Sequence, residues 1–162
     1  MTPTAWVAPS ARARLEILRA TRTVAIVGAS PNPARASYFV ATYLLGSTGY
    51  TVWFVNPRET EILGRPVYPS LAALPAAPDL VDVFRRAPDL PLVAGEAVAA
   101  GAGVFWAQLG LHSDEAVEIA RGGGLTAVTN RCLKIEHARF AGGLHTAGFD
   151  TGVIDSRRRR LV

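Results

Sequence analysis

The sequence predicts an α/β protein, a Rossmann-like doubly wound sheet of five parallel strands with helices on both faces. Three observations predict it. Short β-branched runs recur along the chain, at 23–27 (TVAIV), 51–55 (TVWFV), 80–84 (LVDVF), 104–107 (VFWA) and 126–129 (TAVT). Each is close to continuously apolar, as strands buried on both faces are. Helical stretches fill the gaps, and strands alternating with helices imply right-handed crossovers in a parallel sheet. The strand order expected for such a sheet is 3-2-1-4-5.

The elements follow in order. A leading helix around 12–19 puts Leu15 and Leu18 on one side, for packing at the sheet edge. The first strand ends at Gly28, and an apolar helix over 38–45 ends at Gly46 or Gly49. The second strand is stopped by Asn56-Pro57. Ser70 caps a short turn over 71–74 before Pro75. The third strand meets Arg85-Arg86, and a helix over 89–100 follows a proline-marked start and ends at Gly101. The fourth strand runs into Gln108-Leu-Gly110. Ser113 caps a helix over 114–121, with Asp114 and Glu115 at its positive dipole end and Gly122-Gly-Gly124 after it. The fifth strand runs into Asn130-Arg-Cys132, and a last helix includes 135–140. The chain reads as a single domain, 1–162, with its core at about 20–140. Residues 141–162 are Gly-rich without a clear period and read as a peripheral arm with a frayed end.

Composition narrows the function. Apolar residues make up 49% and charged residues 19%, which supports a packed core and argues against disorder. The net charge of +4 resides in Arg157, Arg158, Arg159 and Arg160; without them 13 basic residues balance 13 acidic ones. A nucleic-acid face is therefore not expected on the domain, and the Arg tail offers only weak, salt-sensitive attraction. No apolar run has the ~20 residues of a membrane span. The first 20 residues hold Arg12, Arg14, Glu16 and Arg19, which does not fit a signal peptide. Cys132 is alone, so no internal disulfide or cysteine metal site is expected, and a reducing cytoplasm is the expected compartment. His112, His137 and His145 form no metal spacing and no nucleophile–base pair, and no carboxylate pair is recognisable. No catalytic residue and no metal ligand is assigned.

In an open parallel sheet the ligand crevice lies at the carboxyl ends of the strands, by the switch in strand order. The strand ends place there Gly28-Ala29-Ser30, Asn56-Pro57, Arg85-Arg86, Gln108 with Gly110, and Asn130-Arg131-Cys132. The first loop is the phosphate candidate. Gly28 lets a backbone approach a ligand, Ser30 offers a hydroxyl, the next helix offers free N–H groups, and Arg35 offers a forked charge. The same residues also suit a plain tight turn with a solvated Arg35. A dinucleotide fingerprint would need glycines where Ser30 and Pro33 stand, and NAD would favour a carboxylate where Asn56 stands. A neutral amide tolerates a phosphate, and Arg35, Arg58, Arg85 and Arg86 can surround one. The ligand class this suggests is a phosphorylated nucleotide other than NAD.

Six stretches carry a family likeness: Val27-Gly-Ala-Ser30, Val55-Asn-Pro57, Ile62-x-Gly64-x-Pro66-Val67-Tyr68, Asp82-Val-Phe84-Arg85, Trp106-x-Gln108-x-Gly110 and Asn130-Arg-Cys132. With these the chain resembles the small stand-alone CoA-binding proteins, relatives of the N-terminal domain of the succinyl-CoA synthetase alpha subunit. The resemblance covers about residues 20–140. It implies coenzyme A, or acyl-CoA, lying across the strand carboxyl ends. It puts the phosphates near Gly28, Ala29, Ser30 and Arg35, and the adenine side near Asn56-Pro57. Phe84, Arg85 and Arg86 would line the pantetheine arm or a phosphate, and Arg58, Gln108, Gly110, Asn130 and Cys132 complete the candidate set. Synthetase alpha subunits carry a second domain with a phosphorylated histidine, and this sequence stops short of one. The expectation is a CoA-binding protein without a catalytic centre of its own. The alternatives are an NAD(P)-binding oxidoreductase, and a CoA-binding subunit of an acyl-CoA ligase working with a partner protein. A homodimer through the leading helix and C-terminal arm is a further expectation. Cys132 reads either as a thiol able to form a mixed disulfide with CoA or as a small buried side chain. Trp53 and Trp106 read as core.

Overall fold

The computed structural model describes residues 5–141. The C-terminal arm, its Arg tail and His145 lie outside these residues. Seven strands form one sheet: β1 (Thr23–Val27), β2 (Thr51–Val55), β3 (Glu61–Ile62), β4 (Arg65–Tyr68), β5 (Leu80–Val83), β6 (Val104–Ala107) and β7 (Thr126–Val128). Five α-helices join them: α1 (Ala11–Ala20), α2 (Ala36–Ser47), α3 (Leu90–Ala99), α4 (Asp114–Gly122) and α5 (Leu133–Ala141).

The sheet corrects the expected count and order of strands. Its order is β3-β4-β2-β1-β5-β6-β7, so the strand at 80–83 lies beside β1 and not outside β2. The outer position beside β2 belongs to β4, parallel to it through Phe54↔Val67. β3 then adds to β4 as a two-stranded antiparallel hairpin. Leu63 and Gly64 form its two-residue turn, both at positive φ (51° and 72°), the geometry that suits the right-handed strand twist. The β4 run escapes a periodicity reading because Arg65 and Pro66 are exposed, and Val67 and Tyr68 only half-buried. With β4 included, the six parallel strands follow a 3-2-1-4-5-6 order, and the switch point falls between β1 and β5.

Alternate side chains of each strand feed two cores, as the period of two requires. Ala25, Val81, Val83, Phe105 and Ala127 face α3 and α4. Val24, Ile26, Phe54, Trp106 and Val128 face the layer to which Leu18 of α1, Leu44 of α2 and Leu133 of α5 belong. α1 is held on α5 by a buried ion pair, Arg14 Nε to Glu136 Oε2 at 2.9 Å. The N-terminal arm before α1 crosses to the other layer. Trp6, Val7 and Pro9 line one depression with Leu125, Thr126 and Ala127, so the arm lies by edge strand β7, whose open side would otherwise invite pairing.

Candidate functional site

The loops at the carboxyl ends of β1, β2, β5, β6 and β7 converge, and hydrogen bonds between them fix the crevice. Gly28 follows β1 at φ +83°, and its N–H donates to the Val55 carbonyl at 3.0 Å. A Cβ at this position would stand 2.6 Å from the Phe84 carbonyl oxygen. Glycine is thus required by backbone conformation and by the close approach of the loop after β5. Ala29 is buried, and its carbonyl accepts the Asn56 side-chain N–H at 2.8 Å. Asn56 Oδ1 in turn accepts the Arg58 N–H at 2.9 Å, and the Asn56 N–H donates to the Tyr68 carbonyl. The amide of Asn56 therefore braces the first two loops from within. Pro57 and Arg58 are exposed beside it.

Ser30 and Arg35 frame the approach to α2. Ser30 Oγ accepts the Asn32 N–H at 3.1 Å, and Asn32 Oδ1 accepts the Ala34 N–H at 3.0 Å. These turns carry the chain to Arg35, the residue before α2. No side chain caps α2 and no acidic residue stands in its first turn, so its positive dipole end is left for an anion. Arg35 is exposed there. The role of Asn32 was missed from sequence, although Ser-Pro-Asn-Pro is turn chemistry and pointed to it.

Past the switch point, the half-buried Phe84 donates its N–H to the Val27 carbonyl at 2.9 Å. Arg85 and Arg86 each stand 3.7 Å from the Asp89 carboxylate. Two positive charges share one negative one, so this rim stays net positive. Gln108 is buried and its Oε1 accepts the Leu133 N–H at 3.0 Å, which caps α5. Gly110, at φ +85°, donates to Asn130 Oδ1 at 2.7 Å, and Asn130, at φ 56°, donates its N–H to the Leu111 carbonyl. Cys132 is half-buried just before α5, packed against the Trp106 core, and its carbonyl accepts the Glu136 N–H. Trp106 is wholly buried, with its indole N–H on the Arg131 carbonyl at 2.8 Å, and is a core residue. The expected groups thus share one end of the sheet, but Asn56, Gln108 and Asn130 spend side-chain bonds on the loops themselves.

His112 bonds Thr129 Oγ1 through Nδ1 and Asp114 Oδ1 through Nε2, both at 2.8 Å. His137 bonds the Tyr43 hydroxyl at 2.9 Å and meets Tyr43 and Tyr50 edge-on; burial pushes its pKa down and that of Tyr50 up to about 12. Asp82, in mid-strand, is fully buried with neither carboxyl oxygen partnered, and burial raises its pKa well above the ordinary carboxylate range. Among the described residues no group of three or more His, Cys, Asp or Glu could hold a metal ion, and no helix is long and apolar enough to cross a membrane.

The arrangement offers an uncapped, acid-free helix start at α2 and a net positive rim at Arg85 and Arg86. Comparison with known proteins identifies the family. The uncharacterized protein YneT of Bacillus subtilis is 38% identical over 130 residues, covering 80% of this chain and 96% of its own. An ADP-forming acetate–CoA ligase of Archaeoglobus fulgidus is 31% identical over 140 residues; the match covers 78% of this chain but only 20% of the ligase. Among solved structures, a hypothetical protein from Pyrococcus horikoshii superposes with a TM-score of 0.79 at 37% identity, over 87% of this chain and 99% of its own. A family model described as a CoA binding domain matches residues 22–138, nearly all of the described sheet and helices, and the chain belongs to that CoA-binding family.

Proposed function

We propose that this protein binds coenzyme A or an acyl-CoA across the carboxyl ends of its strands, with the nucleotide phosphates at Gly28, Ala29, Ser30 and Arg35. The observation that carries the reading is the uncapped, acid-free start of α2 beside a loop where a side chain would strike the Phe84 carbonyl. Backbone N–H groups and the helix dipole there favour a phosphate. The adenine side lies by Asn56, Pro57 and Arg58. Phe84 and Arg85 line the pantetheine arm or a phosphate. Gln108, Gly110, Asn130 and Cys132 border the remaining length of the crevice, and no residue of the chain is assigned a catalytic role.

A second reading has one specific support. The match to one-fifth of an acetate–CoA ligase favours a CoA-binding module that works with a partner supplying the acyl-transfer chemistry. Calorimetry with CoA, dephospho-CoA, NAD and NADPH tests the ligand. Tight CoA binding that weakens without the 3′-phosphate supports the proposal; equal binding of NAD and CoA, or none of CoA, rejects it, and binding of NAD or NADPH without CoA favours the oxidoreductase reading. Copurification of an ATP-dependent ligase subunit from source lysate tests the partner.

A further inference from the structure

The geometry points to Trp6 as a positioning residue for the crevice: through its stack on His112 the N-terminal arm holds the 108–112 loop in its binding shape. The link to ligand rests on the CoA reading above, whereas the link to the loop does not.

The 108–112 loop is fastened on one side. Gly110 donates to Asn130 Oδ1, Asn130 donates to the Leu111 carbonyl, and Leu133 donates to Gln108 Oε1. His112 closes the set. With Thr129 on one ring nitrogen and Asp114 on the other, its imidazole is held at both ends and presents one face to the arm. Trp6 lies on that ring, with centroids 5.7 Å apart and planes 29° from parallel. The indole is half-buried and packs against the core under α3 and α4. Asp114, Glu118 and Arg121 of α4 line the cavity beside it.

The other end of the arm is also tied. Arg14 Nη1 donates to the Pro9 carbonyl at 2.7 Å, while Arg14 Nε holds Glu136 of α5. The arm is therefore a strap anchored on α5 at one end and on the crevice loop at the other. The two anchors belong to opposite layers of the sheet. Gln108 both borders the crevice and caps α5. A loop freed from Trp6 disturbs both jobs. By linkage, a ligand that needs the ordered loop must also tighten the arm.

The test uses the full chain and Trp6→Ala, with Trp6→Phe to keep an aromatic ring and His112→Asn to remove the imidazole. Without ligand, amide hydrogen exchange at 109–112 rises in W6A and in H112N and returns towards wild type in W6F. With CoA, W6A binds about three- to tenfold more weakly, the size of one lost ring stack, and W6F recovers most of the loss. CoA also slows exchange at 5–10 and shifts the indole emission of the wild type by an amount missing from W6F. A lower melting temperature with unchanged exchange at 109–112 makes Trp6 a structural residue only and overturns the inference. So does CoA affinity within about twofold of wild type in W6A. If the wild type binds no CoA the ligand proposal fails, while the exchange result still decides the strap.

Discussion

The Asn56 side chain donates to the Ala29 carbonyl at 2.8 Å and accepts the Arg58 N–H at 2.9 Å, so one amide joins the loop after β1 to the loop after β2. A carboxylate is nearly the same shape but lacks the donor. Asn56→Asp would turn the first bond into a repulsion between two acceptors and place a negative charge beside the loop after β1. The expected result is a loss of about 1–3 kcal/mol in stability and at least tenfold in CoA affinity. Calorimetry and urea unfolding check both. Raised salt should narrow the gap in affinity to wild type, since the charge is partly exposed to solvent and is screened.

Gly28 answers to two constraints at once. Its φ of +83° excludes most side chains, and a Cβ would meet the Phe84 carbonyl oxygen at 2.6 Å. That neighbour is backbone held by the Phe84 N–H to Val27 bond, so it cannot swing aside. Gly28→Ala should cost about 2–4 kcal/mol, above the range of an ordinary surface change. It should also separate the loops after β1 and β5 and abolish CoA binding. Equilibrium unfolding and a ligand titration check these two outcomes.

The parts legible in sequence were those whose signal is local. Five strands announce themselves because both their faces are buried, which leaves an unbroken apolar run. β4 lies next to the edge hairpin strand and carries the exposed Arg65 and Pro66, so its signal is diluted. Strand order is a relation between distant segments, and with β4 unread the strand at 80–83 was assigned its place. The same division holds at the site. Gly28 and the turn residues of the first loop declare themselves by type. The Thr129 partner of His112 does not, because it lies 17 residues away and only the parallel pairing of β6 and β7 brings the two together. Gln108 looks like a ligand-facing amide in sequence, yet its carbonyl oxygen caps α5.

The Arg14–Glu136 pair is buried on both sides, with Arg139 at 3.4 Å and Arg131 at 3.7 Å from the other Glu136 oxygen. Its two halves should not be equivalent. Glu136→Gln leaves a buried guanidinium without its counter-charge and should cost about 3–5 kcal/mol. Arg14→Met leaves the carboxylate with two guanidinium groups still in reach, so the loss should be smaller. Urea denaturation of both variants checks the asymmetry, which equal losses would contradict; the double variant should lose less than the two single losses together, since the sites are in contact.

Asp82 lies between Ile26 and Trp106 in register, fully buried, with both oxygens unpartnered. Burial favours the neutral acid, so its folded pKa is raised well above the ordinary value of 3.8. In the unfolded chain the carboxyl ionises near that ordinary value. The folded state then holds a proton that the unfolded state has released, and raising the pH favours unfolding. The contribution is fully present below about pH 4 and is lost as pH rises towards the folded pKa, at no more than about 1.4 kcal/mol per pH unit. Asp82→Asn keeps the shape without the titration. Its stability relative to wild type should therefore increase steadily from pH 4 upwards. Paired urea unfolding at several pH values checks this, and comparing the two proteins cancels the opposite acid-side effect of His137, whose pKa burial lowers. A constant gap across pH would mean that Asp82 finds a partner for its charge.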